Sequence, residues 1–189
     1  ANAAGVTIEV KDLASKPYID LTLSVMKSFG MKVPLNNNYA SFTFSIEDVS
    51  SVPDKVIYEV EADWSSASFM LVAAALGGPV KFLGLDLNST QADKKIIEAL
   101  RNCGADISIN GDEIKISNSD LKSFEFDATD CPDLFPPLVA LASYCKGETI
   151  ISFLFASAPR PSNTAAAFEF TTIAASAPVS IQRSGSRWT

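Results

Sequence analysis

Apolar and polar positions alternate along this chain in a pattern that predicts a repeated unit. From Val56 the pattern reads strand (Val56 to Glu61), helix (Ser65 to Leu76), strand (Val80 to Leu83), helix (Gln91 to Cys103), strand (Asp106 to Ile109) and strand (Glu113 to Ser117). That order is βαβαββ. Residues 6–45 match the later part of such a unit as strand, helix, strand, strand, and residues 123–151 begin another. The stretches SVMKSFGMKVPLNNNYASFTFS (Ser24 to Ser45) and IEALRNCGADISINGDEIKIS (Ile97 to Ser117) carry the repeat most plainly. Each ends a helical pattern at a glycine, Gly30 or Gly104, which suits a left-handed helix cap. Each then makes two short strands joined by Asn and Gly residues that suit a hairpin. Repetition on this scale indicates one supersecondary unit used several times.

Two helices are informative in detail. Gln91 to Cys103 opens on Thr90 and Asp93, which predicts a capping box, and its apolar positions Ile96, Ile97, Leu100 and Cys103 share one face. Ser65 to Leu76 is apolar nearly all round, which predicts burial on both sides. Asp63, just before it, predicts an N-cap. One buried and one amphipathic helix per unit predicts helices packed under a sheet rather than a doubly wound sheet. No glycine-rich phosphate loop follows any strand.

Composition narrows the chemistry. The 189 residues are 47% hydrophobic with a formal net charge of −7 and no histidine. Without histidine, Ser–His and Cys–His hydrolase mechanisms are excluded. An acidic chain with no basic stripe argues against nucleic-acid partners. No apolar run is long enough to span a membrane, which needs about 18 residues or more. The start, ANAAGVTIEV, has neither the basic nor the apolar region of a signal peptide, and its missing Met predicts a processed or cloned boundary. Cys103, Cys131 and Cys145 follow no disulfide or zinc spacing, so they predict buried, reduced thiols in a cytoplasmic protein.

The stretch FDATDCPDLFPPLVALASYC (Phe126 to Cys145) sets Asp127, Asp130 and Asp133 ahead of an apolar helix. Asp127 and Asp130 read as a strand end and a solvated loop. Asp133 reads as an N-cap before prolines tolerated in a first turn. Its spacing from the other two fits no metal loop.

The words SKPYIDLT (Ser15 to Thr22), EADWSSASFMLVAAAL (Glu61 to Leu76), NSTQADKKIIEALRNCGADI (Asn88 to Ile107) and DATDCPDLFPPLVALA (Asp127 to Ala142) stand in the order and spacing of a known family. Over roughly residues 6–151 the chain resembles 3-phosphoshikimate 1-carboxyvinyltransferase, the EPSP synthase family. The resemblance implies an α+β fold of repeated βαβαββ units, the inside-out α/β barrel of enolpyruvyl transferases, here incomplete at both ends. It implies residues 1–61 as the end of one domain, 62–152 as part of a second, and a hinge near Glu61-Ala62-Asp63. It implies transfer of the enolpyruvyl group of phosphoenolpyruvate to the 5-hydroxyl of shikimate 3-phosphate in the shikimate pathway toward chorismate and the aromatic amino acids, with no metal or organic cofactor. Carried over residue by residue, Asp133 is the proton acceptor that binds shikimate hydroxyls, Ser15 binds the 3-phosphate, and Tyr18 lines the same pocket. Ser15 and Tyr18 begin one helix and Asp133 another, and helix N-termini suit anions.

The departures matter as much. The family usually has Gly where Ala62 stands. Most of its phosphate-binding Lys and Arg fall outside the resemblance, and Arg101 is the one arginine before residue 153. After KGETII the family continues to a Lys-Glu-(Ser or Thr)-Asp-Arg motif, whereas this chain reads SFLFASAPRPSNT. Hydrogen bonds to charged groups are worth about 1.5–3 kcal/mol each, so losing about four removes ~6–12 kcal/mol, while micromolar binding is only about 8 kcal/mol. The isolated chain is therefore expected to be inactive. Residues 153–189 lack Lys and Asp and are rich in Ala, Ser, Thr and Pro. The abrupt change predicts a reading-frame shift near residue 152, set against a natural low-complexity, disordered tail. Incomplete units leave strand edges unpaired, which predicts self-association. The competing readings are a UDP-N-acetylglucosamine enolpyruvyl transferase, disfavoured by SKPYIDLT and CPDLFPP, and a non-catalytic folded fragment or pseudoenzyme. An RNA 3'-phosphate cyclase-like fold would call for a histidine.

Overall fold

The computed structural model describes residues 5–11, 13, 16–45 and 55–152, together with the backbone of residues 175–176. Ser15 and the rest of the segment after Ser152, on which the frame-shift and disorder expectations fall, lie outside the described residues.

The repeat predicted from periodicity is present as geometry. In its first copy, β1 (Val6–Glu9), α1 (Lys16–Ser28), β2 (Leu35–Asn37) and β3 (Ser41–Phe44) give a sheet of order β1-β3-β2. In its second, β4 (Val80–Leu83), α3 (Ile96–Asn102), β5 (Asp106–Asn110) and β6 (Glu113–Ser117) give β4-β6-β5. In both, the last strand lies in the middle and all pairs are antiparallel. The turns follow from local chemistry. Asn38 and Tyr39 turn the first hairpin at φ 48° and 62°, and Gly111 turns the second at φ 62°. Gly30 and Gly104 cap their helices at φ 72° and 82°, where a side chain would be strained.

β7 (Glu125–Asp127), α4 (Phe135–Ala142) and β8 (Glu148–Ser152) begin a further unit, with β7 and β8 parallel. A two-residue β9 (Ala175–Ser176) pairs with β8 in a segment where periodicity predicts no strand.

Three expectations need correction. Val56–Glu61 forms no strand. No backbone hydrogen bond to another described strand holds it, although the Tyr58 ring packs on Phe29 at 5.2 Å, and Ile57 and Val60 are 89% and 81% exposed. Alternation alone does not make a strand without a partner. The long helix α2 (Trp64–Gly77) is buried on one side only. Trp64, Ser68, Leu71, Val72 and Ala75 are inside, whereas Phe69 and Met70 are 51% and 61% exposed. The predicted helix Gln91–Cys103 splits into a 3-10 turn (Ala92–Lys95) and α3, and it has no capping box. The Ser89 hydroxyl accepts from the Gln91 N–H instead, and the Asp93 carboxylate is turned inward.

The core lies between residues 64 and 151. Trp64, Leu71, Ile96, Leu100, Ile114, Ile116, Leu134, Leu138 and Leu141 are almost wholly buried, and Tyr18 packs on the edge of this cluster. The predicted face of Ile96, Ile97, Leu100 and Cys103 is buried as expected. Among described residues of 5–45 only Pro34 and Phe42 are buried, so this part leans on its sheet and on α1 rather than on a core of its own.

Candidate functional site

Three helical starts converge on one point. Tyr18 stands in the first turn of α1, Ser65 in the first turn of α2, and Asp93 in the 3-10 turn that leads into α3. A fourth start, the 3-10 turn Pro132–Leu134, brings Asp133 to the same place. The Tyr18 hydroxyl lies 3.2 Å from Asp133 Oδ2 and 3.3 Å from Asp93 Oδ2. The Ser65 hydroxyl donates to the same Asp93 oxygen. Asp133 is exposed, and Asp93 is 2% exposed.

The sequence suggested that Asp133 caps its helix, and it does not. Neither the 3-10 turn nor α4 has a side-chain cap, and the Asp133 carboxylate receives the Tyr18 hydroxyl instead. The prolines Pro136 and Pro137 occupy the first turn of α4 and remove donors that a cap would have satisfied. Asp127 behaves as expected at the end of β7: its Oδ1 accepts from the Thr129 N–H at 2.9 Å. Asp63 is the predicted N-cap of α2, accepting from the N–H groups of Ser65 and Ser66 at 3.0 and 3.1 Å.

The electrostatics of this point are one-sided. Burial raises the Asp93 pKa above the ordinary carboxylate value, and the charges of Asp133 and Asp63 add to it, against the hydrogen bonds from Ser65 and Tyr18. Asp93 Oδ1 is buried with no hydrogen-bond partner among the described residues. Burial and the two carboxylates push the Tyr18 phenol well above its ordinary value, so Tyr18 is a donor and not a base at neutral pH. Among the described residues, no three His, Cys, Asp or Glu side chains cluster closely enough to hold a metal.

Of the sequence-predicted site residues, Tyr18 and Asp133 are brought together from 115 positions apart. Asp93 and Ser65 were not singled out as site residues. An acid ahead of an apolar run has the same sequence signature whether it caps a helix or points inward, and Asp93 meets a tyrosine 75 positions away.

Gln91 fixes the segment that leads into α2. Its Nε2 donates to the Ala62 carbonyl at 2.9 Å, and its Oε1 accepts from the Trp64 N–H at 2.8 Å. One amide therefore grips the backbone on both sides of Asp63.

This arrangement has relatives. The structure is similar to the enolpyruvyl transferase NikO from Streptomyces tendae, with a TM-score of 0.61 at 18% identity over 79% of this chain and 36% of that one. It is also similar to EPSP synthase from Acinetobacter baumannii, with a TM-score of 0.52 at 23% identity over 78% and 34%. These likenesses show the enolpyruvyl transferase fold. In sequence, the chain is 39% identical to a 3-phosphoshikimate 1-carboxyvinyltransferase of Clostridium novyi over 74% of this chain and 31% of the relative. It is 43% identical to one of Clostridium perfringens strain SM101 over 74% and 32%. The chain thus spans about a third of the length of these curated relatives. The family model for EPSP synthase (3-phosphoshikimate 1-carboxyvinyltransferase) matches residues 1–154, and on that match the chain belongs to the EPSP synthase family.

Proposed function

We propose that this chain carries part of the machinery that moves the enolpyruvyl group of phosphoenolpyruvate to the 5-hydroxyl of shikimate 3-phosphate. In that reaction the hydroxyl oxygen bonds to C2 of the enolpyruvyl group, the hydroxyl proton leaves to a base, and inorganic phosphate departs from C2. Asp133 is the proton acceptor and binds the shikimate hydroxyls. Tyr18 lines the same pocket, and Ser15 binds the 3-phosphate. The observation that carries this reading is the 3.2 Å contact of Tyr18 with Asp133, since the family resemblance assigns both residues to one pocket. The names of the relatives favour the shikimate branch over the UDP-N-acetylglucosamine branch.

On this reading residues 1–61 are the end of one domain and 62–152 part of a second, and Gln91 bonds to the backbone at the crossing Glu61-Ala62-Asp63. The three buried free cysteines suit a cytoplasmic setting, and no described helix is long and apolar enough to cross a membrane. The 189 residues alone lack most of the cations the two phosphates require, so the chain by itself binds shikimate 3-phosphate no better than millimolar and does not turn over. The exposed Phe69 and Met70 and the open sheet edges support self-association of the isolated chain.

The test is a chimera. Residues 5–152 replace the matching segment of the Clostridium perfringens relative, and phosphate release is followed with both substrates present. An active chimera that loses about 10²–10⁴-fold in kcat on Asp133→Asn supports the reading, that being the usual worth of a general base. Turnover unaffected by Asp133→Asn sinks it.

A further inference from the structure

Tyr18 has one hydroxyl proton and two carboxylate oxygens within reach, Asp93 Oδ2 at 3.3 Å and Asp133 Oδ2 at 3.2 Å. Distance does not decide between them, and the surroundings do. Asp133 is exposed, so water satisfies whatever Tyr18 does not. Asp93 is 2% exposed, its Oδ1 has no partner among the described residues, and its charged neighbours Asp133 and Asp63 are both negative. Its donors among the described residues are Ser65 and Tyr18, both on Oδ2. A hydrogen bond to a charged acceptor gains most where water is excluded, and leaving such an acceptor short of donors costs most there.

We propose that Asp93 is a positioning residue: it holds the Tyr18 hydroxyl proton and so leaves Asp133 open to accept a proton from a ligand hydroxyl. The inference rests on the reading of Asp133 as proton acceptor given above. If the Tyr18 proton pointed to Asp133, it would occupy one of that carboxylate's acceptor sites and weaken it as a base. Asp93 draws that donor away, while the Ser65 hydroxyl donates to the same Asp93 oxygen and helps to fix it. A carboxylate suits this position because an amide at 93 can turn its NH2 toward the phenol oxygen and release the hydroxyl to Asp133.

The hydroxyl proton can be observed directly by NMR in the full 189-residue chain with isotope-labelled tyrosine, through its correlation with the Tyr18 ring carbons. The signal is expected to persist in Asp133→Asn and to vanish or move upfield in Asp93→Asn. Ser65→Ala, which leaves Tyr18 as the one donor to Asp93 Oδ2 among the described residues, is expected to keep it and move it downfield. Loss of the signal in Asp133→Asn, or its persistence unchanged in Asp93→Asn, overturns the proposal. If Asp93→Asn does not fold, the Asp133→Asn and Ser65→Ala spectra still decide. In the active chimera, Asp93→Asn is expected to lower kcat with little change in KM. The two readings fail differently. A chimera indifferent to Asp133→Asn removes the acceptor reading, whereas a reversed NMR pattern alongside an inactive Asp133→Asn chimera removes only the role of Asp93.

Discussion

The side-chain amide of Gln91 and the backbone carbonyl of Ala62 are joined by a 2.9 Å hydrogen bond, and the same amide accepts from Trp64. The segment entering α2 is thereby held by a side chain from the turn before α3. Two neutral hydrogen bonds of this kind contribute about 1–3 kcal/mol together. Gln91→Ala is expected to lower the unfolding free energy measured in urea by that amount and to speed hydrogen exchange at the Trp64 amide. Unchanged exchange at Trp64 would show that the grip is not formed in solution.

Asp63 caps α2 as a carboxylate. The hydrogen bond from the Ser66 hydroxyl, with the backbone N–H groups of Ser66 and Ser65, lowers its pKa below the ordinary carboxylate value. A carboxylate whose folded pKa is lowered contributes stability above its unfolded pKa of about 3.9, and that contribution is lost as pH falls through the folded value. Asp63→Ala is therefore expected to cost about 1 kcal/mol at pH 7 and to approach the parent protein near pH 2. Asp93 works in the opposite direction. Its raised pKa gives a contribution that is full below about 3.9 and is lost as pH rises through its folded value. Urea titrations of the parent and of Asp63→Ala from pH 2 to 7 measure the first effect. A gap that stays constant across that range excludes a charged cap.

The sequence-based reading succeeded where the cause of structure is local. Gly30, Gly104 and Gly111 take the left-handed conformations that their turns require, and Asp63 caps the helix directly after it. The repeat was legible because each copy carries its own turns and periodicity. It failed where the cause is a distant partner. Val56–Glu61 has strand alternation and no neighbouring strand among the described residues. Phe69 and Met70 are as apolar as Leu71 and Val72, yet nothing among the described residues covers them as fully. Asp93 and Asp133 both resembled caps, and both instead meet Tyr18, which approaches from another part of the chain. The roles assigned to Tyr18 and Asp133 came from family resemblance, since residue spacing alone gave no reason to join them.

The three cysteines should be silent toward thiol reagents while the protein is folded. Cys103, Cys131 and Cys145 are all fully buried. Burial pushes the Cys131 thiol up to about 12, far from the thiolate form that reacts. The Cys103 thiol donates to the Leu100 carbonyl at 3.1 Å and the Cys145 thiol to the Leu141 carbonyl at 3.4 Å, so each is tied to the helix before it. Iodoacetamide labelling at pH 8, followed by mass spectrometry, is expected to be slow for all three and fast in urea. Rapid labelling of Cys131 in native buffer would contradict its placement.

The exposed side of α2 makes the proposed self-association testable. Phe69 and Met70 are neighbours on one helix face and are both more than half exposed. Large side chains in that state gain by burial, about 1.5–3 kcal/mol for each one fully covered. A second copy of the chain presents the same apolar face, so a symmetric contact buries four such side chains at once. The sedimentation coefficient of the 189-residue chain is therefore expected to rise with concentration. Phe69→Ser combined with Met70→Ser should flatten that rise while leaving the circular dichroism spectrum unchanged, because neither side chain belongs to the core. If the double variant associates as strongly as the parent, the open edges of the β4-β6-β5 sheet become the expected contact. Asp112 lies beside Glu113, which Lys81 and Lys115 already pair, so charge substitutions on β4 would test that edge separately. A concentration-independent coefficient in the parent would show instead that the exposed face of α2 is tolerated by a monomer.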